Sequence, residues 1–201
     1  MHRELSEYIT LCLVNHKIID IKDREYYTYG LELLLSKAVF FATVFVLSLL
    51  TNSLILSMLF LGAYMSLRQY TGGYHCKSSE LCFLLSVFIY LLMTLTYKLS
   101  LPKADWVLFF ASLASLPVIA VFSPIASDNN PITTEEKIKY KRISVVMSLV
   151  YMAITFLALY FHLTVLFYAV SWSLAADAVL MVFTKTRREK SDEKDMSEAD
   201  R

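Results

Sequence analysis

His75 and Cys82 are the two side chains of this 201-residue chain whose chemistry and spacing most readily combine. A thiol is a nucleophile once it is a thiolate, and imidazole is the side chain suited to take its proton near neutral pH. Both lie in the run Arg68-Gln69-Tyr70-Thr71-Gly72-Gly73-Tyr74-His75-Cys76-Lys77-Ser78-Ser79-Glu80-Leu81-Cys82, a polar island between two apolar stretches. On one continuous helix, residues seven apart would share a face yet stand about 10 Å apart along the axis, too far for proton transfer. The chain must therefore turn between them, and Gly72-Gly73 with Ser78-Ser79 supplies turn and cap chemistry. Ser78 or Ser79 as N-cap places Cys82 in the first turn of the next helix, where the helix dipole favours thiolate. His75 is expected on the loop, folded back over that helix start. Cys76 is the weaker nucleophile, since neighbouring side chains diverge. Against this stands the blander reading, in which a free cysteine is a small buried hydrophobe.

The elements that must position this pair follow from composition. Hydrophobic residues make up 57% of the chain and charged residues 18%, with mean hydropathy +0.52. Apolar runs recur from residue 31 to 183, and a helical span needs roughly 20 residues. The expected fold is all-α, a single polytopic membrane domain of six transmembrane helices. Residues 1–30 read as an amphipathic interfacial segment, with Leu5, Ile9, Cys12 and Leu13 at helical spacing, or as a short soluble cap. A first hairpin covers 31–67, with residues 54–67 short for a full span. The polar island is 68–82, and a second hairpin covers 83–122, with a kink expected at Pro117. A basic loop covers 123–142, a third hairpin 143–184, and a charged tail expected to be disordered 185–201. Nothing at the N-terminus reads as a cleavable signal.

Basic residues near spans stay on the cytoplasmic side. With six spans, the N-terminus, the polar island, the 123–142 loop and the tail share one side, which carries sixteen of the nineteen lysines and arginines. Both termini and the island are then cytoplasmic, and Cys12, Cys76 and Cys82 face a reducing compartment where structural disulfides do not persist. Asp177 is the deepest acid and, together with Ser171, Trp172 and Ser173, reads as a polar contact toward another helix. A peptide exporter or transporter is the alternative function, although intramembrane charge is sparse. A receptor subunit would have no need of Cys82. His75, Cys76 and Cys82 are an awkward set for zinc, so neither metal nor cofactor is expected. The lipid bilayer is the evident partner, pairing into a homodimer is a weaker expectation, and nothing suggests nucleic acid.

The run Arg68-x-x-x-Gly72-Gly73-x-His75 followed by Cys82 resembles the accessory gene regulator B (AgrB) family of membrane-embedded cysteine endopeptidases. A second block, Ser123-Pro124-Ile125-x-x-Asp128-x-Asn130-Pro131-Ile132 and the basic cluster after it, resembles that family's proline/asparagine loop, and the likeness covers most of residues 1–185. The resemblance implies a bacterial plasma-membrane protein that cleaves the C-terminal part of an AgrD-like propeptide for quorum sensing. It implies His75 as base and Cys82 as nucleophile, with a thioester acyl-enzyme captured by the substrate's own nucleophile to give a (thio)lactone. Arg68 would bind a substrate acid, orient the loop, or simply anchor the interface. Gly72 and Gly73 would donate amides to an oxyanion or form a plain turn. Asp128 or Asn130 would orient His75 as a third member. Lys137, Lys139, Lys141 and Arg142 would attract the propeptide's acidic end, or serve as a topology signal near anionic lipid.

Overall fold

The computed structural model describes residues 2–72, 79–99, 103–125 and 133–199. These residues are helical almost throughout: α1 (His2–Asn15), α2 (Arg24–Leu50), α3 (Leu54–Thr71), α4 (Ser79–Leu99), α5 (Ala104–Phe122), α6 (Thr134–Tyr160) and α7 (Thr164–Ala199), with a 3-10 turn over Ile21–Asp23. No strand occurs among them, and one isolated bridge joins Gly72 to Ile125. Helices satisfy their own backbone groups, which is what hydrocarbon demands of apolar sequence.

Four stretches are long and apolar enough to cross a membrane by length and composition: Ile21–Leu50, Ala104–Phe122, Thr134–Tyr160 and Thr164–Thr186. Phe83–Leu99 is a shorter apolar helix. Of the six expected spans, α3 is the one that falls in neither group. Its 18 residues end in the polar turn Arg68-Gln69-Tyr70-Thr71, so its apolar part, 54–67, spans only about 21 Å at 1.5 Å per residue.

Several boundaries differ from those the sequence suggested. The polar island is not all loop: Arg68–Thr71 complete α3, whereas Ser79–Cys82 open α4, the helix start that placed Cys82 in a first turn from sequence. Tyr26, Tyr27 and Tyr29 belong to the start of α2 rather than to a separate interfacial segment. The basic stretch ending at residue 142 is helix from Thr134 onward. A capping box explains the early start: the Thr133 hydroxyl accepts from the Glu136 amide at 3.3 Å, and the Glu136 carboxylate accepts from the Thr133 amide at 3.0 Å. The tail, expected to be disordered, continues α7 to Ala199. Lys, Arg, Glu and Met are good helix formers. Pro117 sits inside α5 without ending it.

At the N-terminus, α1 packs on α2. Its buried residues are Ser6 and Thr10, whose hydroxyl donates to the Ser6 carbonyl at 2.7 Å. Leu5, Tyr8 and Leu11 point away from the protein. Small polar side chains thus face the neighbouring helix and apolar ones the surroundings, as a membrane setting favours.

The centre of the bundle is α7, which packs against α3, α4, α5 and α6. Of its membrane-length stretch 67% is buried, against 18–22% for the other three, so it alone is enclosed by protein. Its buried face includes Ala169, Ser171, Ser173, Ala176 and Ala178, small residues that let neighbouring backbones approach closely. Buried hydroxyls and rings tie the other helices together. Ser57 and Tyr90 share a hydrogen bond at 2.8 Å between α3 and α4, and Trp172 Nε1 donates to Thr96 at 3.0 Å between α7 and α4.

Side-chain contacts fix which helix ends lie together. The Tyr168 hydroxyl at the start of α7 donates to Asp105 at the start of α5 at 2.8 Å, and its ring meets Tyr97 near the end of α4 at 5.6 Å. At the opposite end, Tyr70 of α3 meets Tyr140 of α6, and Lys185 of α7 lies 4.4 Å over the Phe122 ring of α5. The end of α3, the end of α5 and the start of α6 therefore gather where α4 begins and α7 leaves the bundle.

Tyr90 is fully buried, with both ring and hydroxyl engaged. Tyr90→Phe should cost about 0.6 kcal/mol, the average for one hydrogen bond between membrane helices. Tyr90→Ala should cost about 3–5 kcal/mol through the cavity. Reversible unfolding in mixed micelles checks both values; equal losses would mean that the ring contributes nothing beyond its hydroxyl.

Candidate active site where α3 meets α5

The C-terminal end of α3 is held by backbone. Gly72 ends the helix at φ 72°, a conformation glycine adopts freely and side-chain-bearing residues rarely do. The Ile125 amide donates to the Thr71 carbonyl at 3.0 Å, and Gly72 and Ile125 run parallel to each other. A Cβ at Gly72 would overlap the Ile125 carbonyl oxygen and stand 2.9 Å from its nitrogen. Glycine is thus required twice, for its dihedral angle and for its lack of a side chain.

The partner segment is fixed in turn. Ser123 follows α5, its amide donating to the Ile119 carbonyl at 3.0 Å and its hydroxyl bonding that of Ser144 on α6 at 2.6 Å. Ser144 also donates to the Lys141 carbonyl at 2.9 Å. The Ser123–Pro124 peptide is cis. Beneath the junction, Leu67, Ile119, Leu174 and Met181 form a closed apolar cluster, with Ile125 packed on it.

Charge at this end is distributed unevenly. Lys137, Lys139, Lys141 and Arg142 are exposed on the first turns of α6 and outnumber the exposed Glu135 and Glu136 beside them, which leaves the start of α6 net positive. Arg68 instead turns inward, with its guanidinium 5.6 Å from the Tyr64 ring and Nη1 3.4 Å from Oδ1 of Asp177. Asp177 on α7 is fully buried. It is a polar contact between helices, as its position in α7 suggested, and its partner is Arg68 of α3.

The predicted site residues fall in two groups. Arg68, Gly72 and the four basic residues of α6 stand at this end of the bundle, and Cys82 lies in the first turn of α4. His75, Gly73, Cys76, Asp128 and Asn130 lie outside the described residues, as does the Cys82 side chain. Gly72 and Ile125 bring the two motif blocks together, and His75 and Asp128 each follow that contact by three residues. Sequence reasoning missed the Arg68–Asp177 pair, although an acid in the middle of an apolar helix is the usual flag for such a partner.

A bundle with several helices of membrane-crossing length and composition, a polar junction and a cationic rim at one end defines the class: a helical membrane protein whose candidate site lies at the ends of its helices. The accessory gene regulator B (AgrB) family model matches residues 6–184, and the chain belongs to that family, which is known for AgrD processing in quorum sensing. It is 28% identical over 189 residues to an AgrB-like protein of Clostridium perfringens strain SM101, covering 90% of this chain and 86% of that one. A second AgrB-like protein, from C. perfringens strain 13, is also 28% identical with the same coverage. An AgrB-like protein of Listeria innocua is 27% identical over 130 residues, 64% of this chain and 63% of that protein. No solved structure matches the chain.

A Cβ at Gly62 in α3 would meet nothing within 4 Å, whereas one at Gly72 would meet the Ile125 backbone. Gly62→Ala should be neutral or stabilising by up to about 1 kcal/mol, and Gly72→Ala should cost at least about 1–3 kcal/mol from its dihedral angle alone. Thermal unfolding of the two variants side by side checks the contrast. Equal melting temperatures would show that the junction does not depend on glycine.

Proposed function

We propose that this protein is a membrane-embedded cysteine endopeptidase that cleaves the C-terminal part of an AgrD-like propeptide, with Cys82 as nucleophile and His75 as base. The observation that carries the reading is the Gly72–Ile125 contact. It anchors the segments bearing His75 and Asp128 at the end of the bundle where α4, with Cys82 in its first turn, begins. Three residues of extended chain reach at most about 11 Å, so His75 is tethered close to this junction whatever path its segment takes.

In this mechanism His75 takes the Cys82 proton and the thiolate attacks the carbonyl at the end of the peptide core. The tetrahedral intermediate collapses with cleavage of the C–N bond, and the amine of the C-terminal fragment leaves with the proton carried by the imidazole. What remains is a thioester between core and Cys82. A cysteine within the core can then attack that carbonyl, exchanging one thioester for another at little free-energy cost and freeing Cys82. Holding both groups on one bound peptide makes capture unimolecular, which lets cyclisation compete with water. The exposed Lys137, Lys139, Lys141 and Arg142 suit an acidic C-terminal segment. Positive charge gathered at this end also favours its placement at the cytoplasmic face, in a six-span arrangement with both termini inside.

Membranes containing the parent chain should convert a tagged propeptide to core and C-terminal fragment. Cys82→Ala should release no fragment, and His75→Gln should slow cleavage roughly 10²–10⁴-fold. A propeptide whose internal nucleophile is replaced by alanine should leave its core on Cys82 as a thioester, visible as a mass adduct that hydroxylamine removes. Undiminished cleavage by Cys82→Ala would overturn the assignment.

A further inference from the structure

We propose that Asp177 is a positioning residue for this reaction: through Arg68 it fixes the end of α3, and with it the Gly72–Ile125 contact from which the His75 segment departs. The inference rests on the peptidase reading above and extends it to a side chain on a different helix.

Asp177 is fully buried in α7, the enclosed helix, and its Oδ1 lies 3.4 Å from Nη1 of Arg68, whose side chain is 20% exposed. Its second carboxylate oxygen is buried with no hydrogen-bond partner among the described residues. Such a pair is a poor device for stability alone, because desolvation of two charges offsets most of their attraction and an apolar pair of similar volume does as well. Packing at this level is already provided by Leu67, Ile119, Leu174 and Met181. What the pair adds is a unique register. Apolar surfaces slide past one another at small cost, while one guanidinium and one buried carboxylate meet in a single arrangement.

The register is passed on over a short distance. Arg68 stands one helical turn before Gly72, and between them Thr71 is fully buried and presents its carbonyl to the Ile125 amide at 3.0 Å. Asp177, Arg68, the last turn of α3 and the Ile125 backbone therefore form one contiguous chain of contacts ending where both motif segments begin. Displacing reacting groups by about 1 Å costs on the order of 10²-fold in rate.

The test uses the full chain in lipid vesicles with a synthetic propeptide bearing an acidic C-terminal segment. Asp177→Asn should lower kcat on the order of 10²-fold while KM stays within about twofold, and Asp177→Glu should recover part of the loss. Arg68→Met/Asp177→Leu, which replaces the pair by apolar side chains, should keep the parental melting temperature but not the parental kcat. An independent readout needs no catalysis. Spin labels at the exposed positions 69 and 135, in a chain with Cys12, Cys76 and Cys82 changed to alanine, should give a narrow distance distribution that Asp177→Leu broadens. Parental kcat in the folded double variant, or an unbroadened distribution, would overturn the proposal. So would a raised KM at parental kcat in Asp177→Asn, which would assign Arg68 to substrate binding. Cys82→Ala run alongside separates the two failures: if it still cleaves, the peptidase reading falls, while the spin-label distances still decide the role of Asp177.

Discussion

Helix ends are the expensive parts of a membrane protein, because the last carbonyls of each helix have no partner within it and lipid offers none. At the end of α3 the Ile125 amide meets that need, donating to the Thr71 carbonyl across a glycine that leaves no room for a side chain. The consequences spread outward from this one bond. The segment after α5 must lie against the last turn of α3. Ser123, two residues back, then reaches Ser144 on α6. The start of α6 stands near the same place, its Tyr140 ring against Tyr70 of α3. A junction of three helices is thus specified by backbone and small hydroxyls, with little bulk at its centre.

The enclosed α7 explains why that junction stays in register with the rest of the bundle. Helices in lipid gain nothing from hiding apolar surface from water, so their association depends on close packing and on polar contacts. With its small buried residues α7 lets α3 and α5 approach, and its single deep acid engages α3 one turn below the junction. Tyr168 performs a similar service at the opposite end through Asp105 and Tyr97. Polar ties at both ends of a central helix limit sliding along its axis, the motion that apolar packing resists least.

Much of this architecture was legible in the residues, and the parts that were not share a cause. Continuous apolar runs announced α2, α5, α6 and α7, because their length and composition leave few alternatives. Cys82 lies in the first turn of α4 as expected; of the two cap candidates, Ser79 is already helical and Ser78 lies outside the described residues. Element ends were harder. Thr133 and Glu136 form a capping box that was readable as a T-x-x-E spacing, yet the density of lysines after it suggested loop, since charge and helix starts compete for the same reading. Arg68 to Thr71 looked like loop because they are polar, although nothing before Gly72 breaks a helix. Composition suggested disorder after residue 185, while the intrinsic helix preference of Lys, Arg, Glu and Met carries α7 to Ala199. The contacts Arg68–Asp177 and Gly72–Ile125 span 109 and 53 positions, and no periodicity reports on pairs so far apart.

The two long-range contacts together bear on why a reaction of this kind suits the end of a helical bundle. A thioester intermediate is useful only if its carbonyl meets the internal nucleophile before water does, which requires the peptide core to be held still while a charged fragment departs. In the proposed reaction the basic residues of α6 would attract that fragment but would not hold the core. Under the proposal, a polar segment departing from the glycine junction would approach the peptide while α7 keeps its anchor fixed. On this proposal attraction and positioning fall to different helices, so weakening the rim would act on substrate capture, and loosening the junction would act on the chemical step.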